Sequence, residues 1–133
     1  MRDAEDSRAE LVKRWWDKAE SSLKSAMREH KAGENSFAIN RVYYAAFYAV
    51  TAWLLENGKT FKKHSGVRHA FHEDIIKTGL LSHNWSKFYD RVFQDRNDGD
   101  YLVMIAFEDS YVEESIDLCR RFLEAIHSLL SLM

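Results

Sequence analysis

The sequence predicts an all-α fold, an antiparallel up-and-down bundle of about five helices, and three observations predict it. Its 133 residues include no proline, so no helix need be broken by a residue that lacks an amide donor and clashes with the preceding turn. Apolar residues recur at steps of three and four through most of the chain, the spacing of one helix face. No stretch shows the period-two alternation of a half-buried strand, and no long internal repeat appears.

The first helix is expected from near residue 4 to 31, because Leu11, Val12, Trp15, Trp16, Ala19, Leu23, Ala26 and Met27 fall at helical spacing, with Gly33 closing it. A second begins near Ser36 and runs to Asn57 and Gly58; from Val42 to Leu55 only Thr51 is clearly polar. A helix apolar nearly all round belongs at the centre of a bundle, or serves the core with one face and a partner subunit with another. Ala45, Ala49 and Ala52 make one of its sides smooth enough for close helix approach. A third helix, roughly 65 to 77, is anchored by Val67, Ala70, Phe71 and Ile75 and stopped at Thr78-Gly79. The fourth starts at about Asn84 and carries Trp85, Phe88, Tyr89, Val92 and Phe93, and Gly99 is expected to end or kink it. Asp109 or Ser110 is the expected cap of a last helix whose Val112, Ile116, Cys119, Leu123, Ile126, Leu130 and Met133 form a heptad seam.

The length is that of one domain, residues 1–133, able to bury roughly two-thirds of its unfolded surface without disulfide or metal. With one cysteine, Cys119, and charged residues where a signal peptide would carry an apolar run, the expected location is the cytoplasm. The apolar run of the second helix is too short to span a bilayer, so no membrane partner is expected. A formal charge of -2 gives no global case for nucleic-acid binding. The distribution is uneven, however. Lys59, Lys62, Lys63 and Arg68 crowd together with His64, His69 and His72, whereas residues 95 to 117 carry eight acids against Arg96 alone. Solvated surface is the favoured reading of that asymmetry, an anion site at the basic end the alternative.

Two segments stand out as candidate sites. In Asn40-Arg41-Val42-Tyr43-Tyr44-Ala45-Ala46-Phe47 an arginine sits inside an apolar helix, where it keeps its charge and must reach a carboxylate, a phosphate or the surface. Arg41, Tyr44 and Tyr48 lie on one helix face, so the guanidinium could rest on two rings, although a carboxylate partner such as Asp100 or Glu56 is the slightly preferred reading. In Arg96-Asn97-Asp98-Gly99-Asp100-Tyr101 the four-residue spacing of Arg96 and Asp100 fits a surface ion pair, which Gly99 argues against. It fits equally an arginine fork offered to a phosphate or partner, oriented by Asp100 beside the ring and hydroxyl of Tyr101. His69 and His72 lack the His-Glu-x-x-His order of zinc proteases, and no metal site is expected. Cys119 falls on the apolar seam and reads as a small buried hydrophobe. Arg120 and Arg121 precede His127 by seven and six positions, which we read as a chance pattern within an amphipathic helix.

Trp15, Ala19 and Leu23, the Asn-Arg-x-Tyr-Tyr-Ala-x-Phe run, His64-Ser65-Gly66-Val67, Lys77-Thr78-Gly79 and Arg96-x-x-x-Asp100-Tyr101 occur in that order. As an ordered set spanning about residues 15 to 130, they resemble the HEPN superfamily in its branch of small stand-alone proteins. The resemblance implies a helical bundle that pairs as a homodimer, needs no cofactor, and works beside a minimal nucleotidyltransferase or in a toxin-antitoxin or defence setting. Nucleotide or RNA is the implied ligand class. Many HEPN proteins look like metal-independent ribonucleases whose motif is an arginine, four to six residues, then a histidine. Arg96 matches that arginine, but Tyr101 stands where the shortest motif puts histidine. An imidazole with a pKa near 6.5 exchanges protons at neutral pH, and an unperturbed aspartate near 3.9 does not. The expectation is therefore a binding and interaction module presenting Arg41, Tyr44, His64, Arg96, Asp100 and Tyr101. The alternative is a ribonuclease using Arg96 with Asp100, Tyr101 or His64. An imidazole beside the Arg96 cleft would favour the enzyme, and a cleft of carboxylate, arginine and tyrosine alone the module.

Overall fold

The computed structural model describes residues 4–101 and 106–131, with side chains from Asp6 to Asp98 and from Ala106 to Ser131. Among these it forms five α-helices and no strand: α1 (Ala4–Lys31), α2 (Asn35–Glu56), α3 (His64–Phe71), α4 (Asn84–Tyr101) and α5 (Asp109–His127). The expected bundle is what the chain builds. Glycine ends the first two helices for a definite reason. Gly33 and Gly58 both take φ +79, the left-handed conformation that lets the chain fold back over the last turn. The amides that follow then reach open carbonyls, Glu34 to Glu29 at 2.8 Å and Lys59 to Leu54 at 2.9 Å, the Schellman arrangement.

Three details differ from expectation. The third helix is α-helical only to Phe71 and continues as a π-helical turn, His72–Ile76, closed by the Lys77 amide on the His72 carbonyl at 2.8 Å. Two adjacent apolar residues, Ile75 and Ile76, are all that mark the phase of that turn in the sequence, so periodicity could not separate it from an α turn. The α4 backbone passes through Gly99 without ending. A helix-interior glycine costs about 1 kcal/mol relative to alanine but does not by itself stop a helix, and α4 runs on to Tyr101. Neither Asp109 nor Ser110 caps α5: Glu108 occupies the N-cap position without a side-chain bond, while the Asp109 carboxylate accepts from Asn35 Nδ2 at 2.8 Å.

Helix α2 lies at the centre, packed against the other four. Its Ala45, Ala46, Ala49 and Ala52 are fully buried, as are Ala19 and Ala26 of α1, and these small side chains let the two backbones approach closely. The seam of α5 buries Val112, Cys119, Leu123 and Ile126 against it. Cys119 directs its thiol at the Val42 carbonyl, 3.6 Å away, and burial pushes its pKa up, so it is the small hydrophobe the sequence predicts. No described helix is long and apolar enough to cross a membrane.

Helix α4 packs mainly on α2 and is tied to α5 by polar contacts. Arg91 donates from Nε to the Tyr111 hydroxyl at 2.9 Å and from Nη2 to buried Ser115 at 2.7 Å, and Tyr111 donates onward to Asp95. Much of the acidic 95–117 stretch is engaged in this way. Asp98 accepts from Gln94, Glu114 pairs with Arg91, and Asp117 pairs with both Arg120 and Arg121.

Candidate functional site

The candidate site is assembled where α2, the start of α3 and the last third of α4 meet, around two adjacent tyrosines. Tyr43 points inward and is wholly buried, whereas Tyr44 is only partly covered. Arg96 reaches from α4 across both rings, its guanidinium carbon 5.8 Å from the Tyr43 centroid and 5.7 Å from that of Tyr44. It donates from Nη2 to the Tyr44 hydroxyl at 3.3 Å and from Nη1 to Asn97 Oδ1 at 3.3 Å. Such placement over ring faces attracts the cation and fixes the plane of its fork.

His64 approaches the same tyrosines from α3. Its Nδ1 shares a 2.7 Å hydrogen bond with the Tyr43 hydroxyl, its ring stacks on Phe47 at 4.3 Å, and it meets Tyr44 edge-on. Burial first, and then the Arg96 charge, hold its pKa below the usual 6.5, so it is neutral at pH 7. Burial likewise keeps the Tyr43 phenol protonated by pushing its pKa well up. A neutral imidazole held at Nδ1 leaves Nε2 as its second proton-exchanging atom. Beside this group, Arg68 donates from Nε to Asp90 at 2.8 Å and lies 4.7 Å from the Phe93 centroid. His72 Nε2 meets the same carboxylate oxygen at 2.8 Å. Burial opposes the charge of Asp90, but the bonds from Arg68 and His72 outweigh it and hold its pKa below the ordinary range.

Of the six residues read from the sequence, the structure brings together Tyr44, His64 and Arg96. Arg41 stands apart. It is exposed, donates to Asn40 Oδ1 at 3.2 Å, and so satisfies its charge at the surface rather than on a buried carboxylate. Glu56, one suggested partner, accepts instead from the Ser131 amide. The cation over Tyr48 is Lys18, at 4.9 Å, and the one over Tyr44 is Arg96, so Arg41 does not take the ring position expected of it. The backbone of Asp100 and Tyr101 completes the last turn of α4, but their side chains lie outside the described residues. Sequence reasoning assigned no role to Tyr43, Phe47 or Arg68, although each belonged to a motif or charge cluster already quoted. The missing signal was the return of α3 over α2. No three His, Cys, Asp or Glu among the described residues are grouped to hold a metal.

A second arginine and histidine meet elsewhere. Arg120 and His127 both line a groove of about 570 Å³ between α1 and α5. There Arg120 is tied to Asp117 and His127 packs on Trp16 at 5.0 Å.

The HEPN domain family model matches residues 12–129, nearly the whole chain. The chain belongs to the HEPN domain family. Among its HEPN-type relatives, a UPF0332 protein of Thermotoga maritima is 38% identical over 125 residues, covering 94% of this chain and 95% of that protein. A protein named "Putative toxin MJ0142" from Methanocaldococcus jannaschii is 33% identical over 97 residues, covering 73% of this chain and 66% of its own. A UPF0332 protein of Archaeoglobus fulgidus is 32% identical over 107 residues, 80% of this chain and 79% of its own. The HEPN match begins within α1 and ends just beyond α5, so it includes every element that contributes to the Arg96 cluster.

Proposed function

We propose that this HEPN chain has a toxin-type role as a nucleotide- or RNA-binding and protein-interaction module. In this reading it acts in the cytoplasm as a homodimer paired with a minimal nucleotidyltransferase. The observation that carries the reading is the Arg96 guanidinium held over Tyr43 and Tyr44 beside His64. A fork-shaped cation, partly open aromatic faces and a neutral imidazole in one cluster suit a phosphate with an attached base. The toxin name of the Methanocaldococcus relative supports the setting. The test is Arg96→Ala in direct binding of uridine monophosphate and short RNA. Loss of binding supports the reading, and undiminished binding removes Arg96 from the site. Light scattering tests the assembly, with a particle of twice 15.6 kDa expected and a monomer overturning it.

One observation favours a second reading, a metal-independent ribonuclease: an imidazole stands beside Arg96 after all, supplied by α3 rather than by position 101. Arg96 would stabilise the charge developing on the phosphate, and His64 Nε2 would exchange the proton, with Asp100 and Tyr101 the other candidates. RNA cleavage that survives chelator and disappears in His64→Ala would establish it over the module.

A further inference from the structure

A second charged surface adjoins the Arg96 cluster. Tyr44 belongs to both, since it accepts from Arg96 and also lines a groove of about 280 Å³ between α1 and α2. The groove has three cations, Lys18, Arg28 and Arg41, and three hydroxyls, Ser21, Ser22 and Ser25. None of its lining residues is acidic, although the whole chain carries more acids than bases. In the larger groove between α1 and α5, by contrast, Lys13 is paired with Asp17 and Arg120 with Asp117.

From two rings that line the groove, Tyr44 and Tyr48, a ladder of partly open rings leads on to Trp15 beyond its lining. Tyr44 lies 5.6 Å from Tyr48, and Tyr48 lies 5.7 Å from Trp15, centroid to centroid. Lys18 spans the far end, 5.1 Å from Trp15 and 4.9 Å from Tyr48. Successive aromatic faces beside a line of cations form the arrangement that binds single strands, since every base has a face to stack and every linkage a charge to neutralise. A mononucleotide would occupy the Arg96 cluster and leave this groove empty.

We propose that the ligand is a single-stranded oligonucleotide several nucleotides long, its backbone continuing from Arg96 past Tyr44 into the Lys18–Arg28–Arg41 groove and its bases over Tyr44, Tyr48 and Trp15. The inference rests on the reading of the Arg96 cluster given above and adds a second anion site to it. It also gives Arg41 a role that the cluster itself does not. Duplex binds less well here, because its paired bases cannot leave their stack to meet the rings.

The experiment measures the affinity of full-length protein for uridine monophosphate, a uridine decamer and a duplex of equal length, across a salt series. The variants are Arg96→Ala, the double variant Lys18→Ala with Arg41→Ala, and Lys24→Ala, an exposed control on the other face of α1. The double variant is expected to lose tenfold or more for the decamer while keeping its affinity for the monophosphate. Its log-log salt slope should fall by about 1.4, two cations at about 0.7 each on a single strand. Both groove positions are exposed, so unfolding is not expected and a melting curve checks it. Unchanged decamer binding in the double variant, with binding lost in Arg96→Ala, overturns the groove and leaves the Arg96 reading standing. The reverse pattern removes Arg96 and keeps the groove. Equal affinity for duplex and decamer overturns the single-strand assignment, and failure of the wild type to bind any of the three ligands overturns both readings.

Discussion

The Arg96–His64 cluster and the Arg120–His127 groove contain the same two residue types in opposite circumstances. Arg120 and His127 stand close in sequence and line one groove of about 570 Å³, yet the arginine is held by Asp117 and the imidazole is packed on Trp16. Arg96 and His64 come from different helices, and both meet the same pair of tyrosines. An arginine paired with a carboxylate has its charge answered. A guanidinium laid on aromatic faces gains a fixed direction, as an anion site needs. Proximity along the chain favours the Arg120 groove, whereas the reading proposed above follows the aromatic contacts of Arg96.

The largest effect expected from this contrast is on any RNA cleavage the protein performs. If cleavage is detectable, His64→Ala should reduce it by about 10²- to 10⁴-fold, the usual worth of a positioned proton carrier, and His127→Ala should leave it unchanged. Equal losses in single-turnover assays would erase the distinction. If the wild type is silent, placing histidine at the family position with Tyr101→His should raise cleavage, and continued silence would count against a ribonuclease geometry around Arg96. Next in size is ligand affinity. Arg96→Ala is expected to weaken binding about ten- to a hundredfold, as for a lost charged hydrogen bond of roughly 1.5–3 kcal/mol, whereas Arg120→Ala should match wild type in titration calorimetry. Stability separates the regions more gently. Tyr43→Phe leaves His64 Nδ1 without its partner and should cost about 1 kcal/mol in urea unfolding. Asp117→Ala, which breaks only exposed pairs, should not move the transition measurably.

The smallest effect is on pH dependence, and two histidines should act in opposite directions. His64 has its pKa lowered by burial and then by Arg96. Between its folded value and 6.5 the unfolded chain therefore binds more protons, so its contribution is present above 6.5 and is lost as pH falls through the folded pKa. His30 has its pKa raised, first by its bond to Asn35 and also by Glu113 and Asp109. Its contribution is full below 6.5 and is lost as pH rises through the folded value. Replacing His64 should flatten the acid side of a melting-temperature profile between pH 5 and 7, and replacing His30 the neutral side.

Much of this was legible in the sequence. Helix order, the central place of the second helix and the α5 seam follow from apolar spacing, because a helix with no polar face has nowhere else to go. The three helix-terminating glycines, Gly33, Gly58 and Gly79, could be named for the same kind of reason. Glycine as a letter, however, does not reveal the sign of φ, and of the two outcomes expected at Gly99, an end or a kink, the helix does not end there. At the site, Arg96, Tyr44 and His64 were named, but what unites them was not. The contact of His64 with Tyr43 depends on the loop that brings α3 back over α2, and no local pattern encodes it. The expected buried partner of Arg41 failed for a related reason: at its position on α2 the helix face is open to solvent, so the surface was near enough to need no acid.

The central claim is that Arg96 and His64 share one site across the tyrosine pair. The most direct test is the NMR titration of His64 in the wild type, in Arg96→Gln and in Arg120→Gln. The account predicts a wild-type pKa below 6.5 that moves up when Arg96 loses its charge and stays put when Arg120 does. A His64 pKa indifferent to Arg96, or one that responds equally to Arg120, would contradict it.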